Sequence, residues 1–194
     1  MTIKPKLTVM KKILFLFSLA AFAACNSNEA KVESMSATDS SSTTGNDTVT
    51  YQYAADYSSK FAMGDAKNVR IIFDLYKDWD NNTLDNSKDR FADSVTLIFS
   101  SGDMMAGSRD SIVAQSKGFR DRFATVTSQV HAVVPLKSTD KNEDWVLVWF
   151  KEYRTDANGK KDSTEMQETW RLNKDGKADL LYQYAQQNPA PQKK

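Results

Sequence analysis

The chain has 194 residues, of which 26 are basic and 25 acidic, so its formal net charge is +1 at pH 7. This balance gives no electrostatic footprint for nucleic-acid binding, and the length indicates one ordinary domain with appendages. A single cysteine excludes an internal disulfide, and one cysteine with one histidine gives no metal-ligand cluster of the usual spacing. We therefore expect no nucleic-acid partner, no metal and no cofactor.

The N-terminal segment combines a basic start, a short apolar core and small residues ahead of a cysteine. Residues 10–25 read MKKILFLFSLAAFAAC, which is typical of a secretory signal and is short for a membrane-spanning helix. Residues 22–25 resemble the lipobox of bacterial lipoproteins, in which the cysteine is diacylated and becomes the new N-terminus. We therefore expect a signal peptide at residues 1–24, starting at Met1 or Met10, and lipidation of Cys25.

The lipobox resemblance implies that Cys25 anchors the protein in the bacterial cell envelope. The residue after it is Asn26 rather than aspartate, and by the sorting rules of such lipoproteins the outer membrane is then expected. The sequence leaves open whether the protein faces the periplasm or the medium. The alternative is a secreted protein whose Cys25 is a free thiol.

Two polar segments flank the part of the chain that can fold. Between Asn26 and Thr50, eleven of 25 residues are Ser or Thr and none is aromatic, so burial of apolar area cannot offset the entropy of ordering. We expect residues 25–56 to be a tether and residues 187–194, which contain two prolines and two terminal lysines, to be a disordered tail. The folded domain is then 57–186.

Apolar side chains recur at spacings of three and four after Asp65, the pattern of a helix with one stripe facing a core. Asp65 is a suitable N-cap, and the run Asp80-Asn81-Asn82 ends the pattern. The stripe consists of Val69, Ile72, Leu75, Tyr76 and Trp79. We therefore predict one long helix at the start of the domain.

Two shorter helices and five strands are predicted further along the chain. The first of these helices covers 84–91, and the second is capped by Ser108 and carries Ile112, Val113, Phe119 and Phe123. Strands are predicted at 94–99, 126–136, 145–153, 163–172 and 178–184, with a loop containing Gly102 and Gly107 after the first. Helices first and a strand meander last indicate an α+β domain.

The last hairpin contains one residue that does not fit its surroundings. On the return strand, Met166, Trp170 and Leu172 share one face with Glu168, as a period of two requires. An acid on an apolar face is costly unless it is paired, so Glu168 is either a pocket acid or a structural acid with a satisfying partner. Its neighbours imply poor solvation, which raises the pKa of a carboxyl and favours its protonated form near neutral pH.

Three motifs accompany this order of elements: FADSV at 91–95, GSRDSI at 107–112 and WRLNKDGK at 170–177. Over about residues 65–186, the order of the predicted elements and these three motifs resemble the nuclear transport factor 2-like superfamily. Its relatives include the polyketide cyclases related to SnoaL and the ketosteroid isomerases. The resemblance implies a cone-shaped, curved antiparallel sheet wrapped around a long N-terminal helix, with a pocket at its open end. It also implies a homodimer through the outer face of the sheet.

A homodimer also agrees with the central strand. Residues 145–150, WVLVWF, are apolar on both faces, whereas helices of this fold cover only the inner one. One row of large side chains then needs cover, by a second copy or by residues 51–64 of the same chain.

The isomerase pattern can be carried over residue by residue. It places Glu168 at the acid of the oxyanion hole, Tyr76 at its partner tyrosine and Phe99 at the general base. Phenylalanine cannot abstract a proton, so this resemblance implies binding without the isomerase reaction. For Tyr76 the other interpretation is a core aromatic with a satisfied hydroxyl.

Two functions follow from these patterns and from the resemblance. The favoured one is a non-catalytic module that binds a small apolar ligand or a partner segment in the cone. The alternative is a SnoaL-like or ketosteroid isomerase-like enzyme that uses Glu168 and Tyr76 with an unidentified base, for which Asp74 and Asp103 are the candidates. In both cases the expected pocket residues are Tyr76, Trp79, Phe99, Trp149, Glu168 and Trp170.

Overall fold

The structure is a computed structural model that describes residues 52–186. The predicted signal peptide, the predicted lipidation site Cys25, most of the predicted tether and the predicted C-terminal tail lie outside these residues. Within residues 52–186, no helix has the length and apolar character needed to cross a membrane. The same residues contain no group of three or more potential metal-binding side chains.

Seven strands, two α-helices and one 3₁₀ helix make up the described domain. In chain order they are β1 (Phe61–Met63), α1 (Lys67–Asp80), the 3₁₀ helix (Leu84–Arg90), β2 (Phe91–Ile98), β3 (Met104–Ser108), α2 (Arg109–Arg120), β4 (Phe123–Ser138), β5 (Glu143–Asp156), β6 (Lys161–Leu172) and β7 (Ala178–Ala185). The strands form one sheet in the order β1-β4-β5-β6-β7-β2-β3. The α+β class is therefore confirmed.

The sheet is mixed, which corrects the expectation of a fully antiparallel one. β2 and β7 run parallel, with Leu97 beside Leu181, while every other pair of neighbours is antiparallel. A parallel pair needs a long connection, and here the chain from 99 to 177 supplies it. A meander pattern predicts that strands consecutive in sequence lie side by side. It therefore does not predict the pairing of β2 with β7.

Helix α1 lies across the inner face of the sheet. Ile72 and Leu75 are buried against Val146 and Val148 of β5, and the other residues of the predicted stripe pack around them. Asp65 is not the N-cap: the helix starts at Lys67 and Ala66 precedes it. Asp65 instead accepts a hydrogen bond from the Lys67 backbone N–H at 2.8 Å.

The second α-helix begins as predicted but ends earlier. Ser108 caps it by accepting a hydrogen bond from the Ser111 N–H at 3.4 Å, and Ile112 and Val113 are buried. Phe123, assigned to this helix from its apolar character, is the first residue of β4. The region predicted as a glycine-containing loop forms the edge strand β3, which is short and largely exposed and so lacks the apolar alternation that identifies a strand.

A buried arginine joins the ends of both helices. The guanidinium of Arg120 donates hydrogen bonds to the backbone carbonyls of Trp79 at 2.7 Å, Asp80 at 2.9 Å and Phe123 at 2.8 Å. These carbonyls belong to the last turn of α1 and the start of β4. Arg120 therefore fixes the end of α1 against the sheet.

Among residues 52–186, the contacts that cover the outer face of the sheet lie at one end of it. The ring of Tyr57 meets Trp145 edge-on at 6.1 Å, and the guanidinium of Arg171 lies 5.9 Å from the centre of the Trp145 ring system. Trp149 is 38 % exposed and Tyr184 is 57 % exposed on the same face. Residues 52–64 thus account for the cover of Trp145 but not for the whole apolar row.

Candidate functional site

A cavity of about 500 Å³ opens between α1, α2 and the inner face of the sheet. Its size lies within the range of small-molecule binding sites in proteins. Apolar side chains from both helices and several strands supply most of its wall, among them Leu75, Phe91, Leu97, Phe99, Phe150 and Leu181. Polar side chains from several elements interrupt this wall, and two of them are buried acids.

Glu168 is the first of these acids and is only 5 % exposed. Tyr76 Oη donates to its Oε2 at 2.6 Å, Trp170 Nε1 donates to the same oxygen at 2.8 Å, and Gln183 Nε2 donates to Oε1 at 2.8 Å. Trp170 shares the strand face of Glu168, and Gln183 is its direct neighbour on β7. All three partners are neutral donors.

The environment of Glu168 shifts two pKa values. Burial raises the pKa of Glu168, while the hydrogen bonds from Tyr76, Gln183 and Trp170 oppose that shift. Burial and the nearby Glu168 charge raise the pKa of Tyr76 well above its ordinary value. Tyr76 therefore keeps its proton and remains a hydrogen-bond donor.

Glu152 is the second buried acid, and it was not among the residues predicted from the sequence. Trp79 Nε1 donates to Glu152 Oε2 at 2.7 Å, and Arg154 Nε lies 3.5 Å from Glu152 Oε1. Burial raises the pKa of Glu152, the hydrogen bond from Trp79 and the charge of Arg154 lower it, and the charge of Glu168 raises it further. The sequence could have predicted its position, because alternate residues of a strand share one face and Glu152 follows Val148 and Phe150 at steps of two along β5.

Arg154 and Ser128 complete the polar part of the wall around Glu152. Arg154 Nη2 donates to Asp162 Oδ2 at 3.3 Å and to Thr164 Oγ1 at 2.9 Å, whereas Arg154 Nε is buried and has no hydrogen-bond partner among the described residues. Ser128 donates through its backbone N–H and its hydroxyl to the Asp80 carboxylate, both at 2.9 Å. A charged group thus lies at this end of the cavity.

No protein-family model and no curated protein matches the sequence. Solved structures do match it. An LEH-like epoxide hydrolase from M. tuberculosis superposes with a TM-score of 0.52 at 10 % identity, covering 62 % of this chain and 83 % of the other. For a SnoaL-like protein from Jannaschia sp. CCS1 the TM-score is 0.51, the identity 14 % and the coverage 62 % and 86 %. A nuclear transport factor 2-like protein from Exiguobacterium sp. 255-15 superposes with a TM-score of 0.50 at 18 % identity, covering 62 % of this chain and 99 % of the other.

The domain has the nuclear transport factor 2-like fold. A curved sheet that does not close, crossed by α1 on its inner face, is the arrangement that the sequence motifs implied. At identities below one fifth, the likeness concerns the fold and leaves the activity open.

Five of the six predicted pocket residues line the cavity of this nuclear transport factor 2-like domain: Tyr76, Trp79, Phe99, Glu168 and Trp170. Trp149 does not, and its assignment is corrected. Val148 and Phe150 point to the inner face of β5, so the residue between them points outward, where Trp149 is exposed. A run that is apolar on both faces does not reveal which face is the inner one.

The acids considered as a base are separated by the fold. Asp74 pairs with Arg90 at 3.1 Å and does not line the cavity. Asp103 lines the cavity, where it accepts a hydrogen bond from the Ser101 hydroxyl at 2.9 Å. His131 lies exposed, 3.2 Å from Glu165.

Proposed function

We propose that this nuclear transport factor 2-like domain binds one small, largely apolar molecule in its cavity and releases it unchanged. The observation that carries the proposal is the cavity itself, an apolar chamber of about 500 Å³ with the buried acid Glu168 in its wall. Phe99 also lines the wall, at the position that the isomerase resemblance gives to the base. A wall whose surface is mostly apolar favours a ligand that is mostly hydrocarbon.

The proposed contact of the ligand is a hydrogen bond from protonated Glu168. Oε2 already accepts two hydrogen bonds, from Tyr76 and Trp170, so the carboxyl proton belongs on Oε1. A neutral carboxyl can donate this proton to a carbonyl or phenolate oxygen of the ligand. Burial favours the neutral form by raising the pKa of Glu168.

Native mass spectrometry of protein purified from its own envelope tests the proposal. We expect an additional mass on the folded protein that denaturation releases as an intact small molecule. The Glu168→Leu variant should lose this mass, whereas Arg70→Met, an exposed change on α1, should retain it. A wild-type protein that carries no extra mass, and takes up none from an envelope lipid extract, would contradict the proposal.

An enzyme is the second candidate, and Glu152 is the observation that favours it. This acid is buried on the same cavity, and burial raises its pKa towards the range that suits a general base near neutral pH. In that case a general base removes a proton from carbon, so the co-purified molecule takes up deuterium when the complex is held in D₂O, and Glu152→Gln stops the uptake. A molecule without deuterium at carbon after many hours supports binding alone.

We further propose that Cys25 carries the lipid and holds the domain at the outer membrane, with residues 25–56 as the tether. Intact mass of the mature chain checks this proposal. The expected species begins at Cys25 and includes the mass of the acyl chains. A chain that begins at another residue, or that lacks the mass of the acyl chains, would contradict the proposal.

A further inference from the structure

Each buried acid of the cavity is paired with one tryptophan. Trp170 Nε1 donates to Glu168 at 2.8 Å, and Trp79 Nε1 donates to Glu152 at 2.7 Å. Helix α1 contacts both acids within one turn, since Tyr76 binds Glu168 and Trp79 binds Glu152. The cavity therefore has two polar ends built in a similar way.

The two ends lie well apart along the sheet. Glu168 is directly opposite Val148 in the pairing of β5 with β6, and Glu152 follows Val148 by four residues. At the usual rise per residue of a strand, this places the two backbone positions about 13 Å apart along β5. Between them the wall is apolar, formed by Phe150, whose ring centre is 4.9 Å from that of Tyr76, and by Met166.

The two ends differ in charge. Glu168 has only neutral donors as hydrogen-bond partners, whereas Glu152 lies beside the cation of Arg154. A guanidinium has five N–H donors, and within residues 52–186 only Nη2 of Arg154 makes hydrogen bonds, to Asp162 and Thr164. This end therefore combines acceptor oxygens on Glu152 with spare donors on Arg154.

We infer that Glu152 and Arg154 form a second polar subsite, and that the ligand is an elongated, uncharged molecule with a hydroxyl at that end and another oxygen at the Glu168 end. This inference rests on the proposed binding function. A hydroxyl both donates and accepts, so it satisfies Glu152 and Arg154 together. A carboxylate would face the acid Glu152, and an ammonium would face Arg154, so both charged groups are disfavoured.

Two probes with the same apolar body test the subsite. These are 4-hydroxybiphenyl, with one hydroxyl, and 4,4′-dihydroxybiphenyl, with one at each end. Both are titrated calorimetrically into the mature chain with Cys25→Ser. We expect the diol to bind about tenfold more tightly, because the second hydroxyl adds one well-placed hydrogen bond to a charged group.

The variant that tests the subsite removes the charges of Glu152 and Arg154 together. Removal of one charge would leave the other buried without its partner. Glu152→Gln combined with Arg154→Met should abolish the tenfold advantage of the diol over 4-hydroxybiphenyl. Arg70→Met, an exposed cation on α1, is the matched control and should keep the advantage. Arg154→Lys retains the charge and provides a second folded variant.

Indole resonances give an independent readout within the same samples. The chain has four tryptophans, of which Trp79 and Trp170 lie at the two ends of the cavity, while Trp145 and Trp149 lie on the outer face. In ¹⁵N-correlated NMR spectra, the diol should shift the indole N–H signals of both Trp79 and Trp170. The signals of Trp145 and Trp149 should not move.

The outcomes separate the inference from the function on which it rests. Equal affinity of the two probes, or a diol advantage that survives in the double variant, overturns the second subsite and leaves the proposed binding function standing. Absence of binding by both probes contradicts the proposed function and the inference together.

Discussion

At the scale of single residues, Glu168 is distinguished by the number of donors directed at it. Tyr76, Trp170 and Gln183 all donate to its carboxyl, and no cation of residues 52–186 is among its hydrogen-bond partners. The three donors lie on three different elements, α1, β6 and β7. Glu168 therefore stabilises the packing of these elements in addition to presenting a polar group to the cavity.

The stability of two variants measures that role. Glu168→Gln keeps an acceptor for Tyr76 and Trp170, and the Gln183 amide can rotate to accept from the new side chain, so the free energy of unfolding should fall by about 1 kcal/mol or less. Glu168→Leu leaves three buried donors without an acceptor and should cost at least about 3 kcal/mol. Urea unfolding measures both; equal losses for the two variants would show that the donors find other acceptors.

The pH dependence of stability has a definite sign for the buried acids. Since burial raises the pKa of folded Glu168 above 4.5, the folded protein binds more protons than the unfolded chain between 4.5 and the raised value. The free energy of unfolding therefore falls as pH rises through that window. The pKa values of Glu152 and Asp80 are raised in the same direction.

Comparison with Glu168→Gln isolates the contribution of Glu168. The variant should lose less stability than the wild type as pH rises above 4.5, because it lacks one of the carboxyl groups whose pKa is raised in the folded state. Urea midpoints measured across the acid-to-neutral range check this, with direct NMR titration of the Glu168 carboxyl as the site-specific readout. Parallel profiles, or an ordinary pKa near about 4, would contradict the buried acid.

At the scale of secondary-structure elements, the site depends on where α1 ends. Tyr76 and Trp79 lie one turn apart and reach two different strands, so a small rotation of the helix would break one of these contacts. Arg120 holds the last turn of α1 through the carbonyls of Trp79 and Asp80. The end of α1 is therefore part of the architecture of the Glu152 subsite.

Removal of the Arg120 guanidinium should weaken both the fold and this subsite. Arg120→Met removes the guanidinium donors of three half-buried carbonyls, of which that of Trp79 keeps a backbone donor, the Asn82 N–H, and it should lower the free energy of unfolding by about 2 kcal/mol. The indole N–H signal of Trp79 should shift, while that of Trp170 stays in place. Thermal unfolding and NMR check the two effects, with Arg70→Met as an exposed control; an unchanged stability would contradict the bracing role.

At the scale of the whole molecule, the outer face of the sheet determines the predicted assembly. Tyr57 and Arg171 cover Trp145, but Trp149, Tyr153 and Tyr184 are left exposed beyond the reach of residues 52–64. Several exposed aromatic side chains on one face of a sheet indicate an interaction surface. We therefore propose that a second copy of the chain covers it.

Light scattering of the unlipidated chain tests the homodimer. The expected mass is twice that of the chain, and Trp149→Glu should halve it by placing a charge in the interface. Ala114→Glu, an exposed change on α2, on the opposite side of the sheet, should leave the dimer intact. A wild-type monomer at tens of micromolar would contradict the prediction.

The fold class and the main site acid were both available from local patterns. Strand parity places Glu168 among apolar neighbours, and the spacing of apolar residues predicts α1, because side-chain direction follows from backbone geometry alone. Ser108 predicts the start of α2 for the same reason, since a cap acts on its own helix. The motifs at 91–95, 107–112 and 170–177 added the curved-sheet architecture.

By itself, then, the sequence determined α1, the start of α2, the five longer strands, the α+β class and the position of Glu168 on the apolar face of β6. Only the tertiary structure decided the parallel pairing of β2 with β7, the outward direction of Trp149 and the presence of Glu152 beside the same cavity. These features depend on contacts between residues far apart in the chain. The pattern of a strand that is apolar on both faces does not predict which face the helix covers. The packing of α1 against the sheet determines that face.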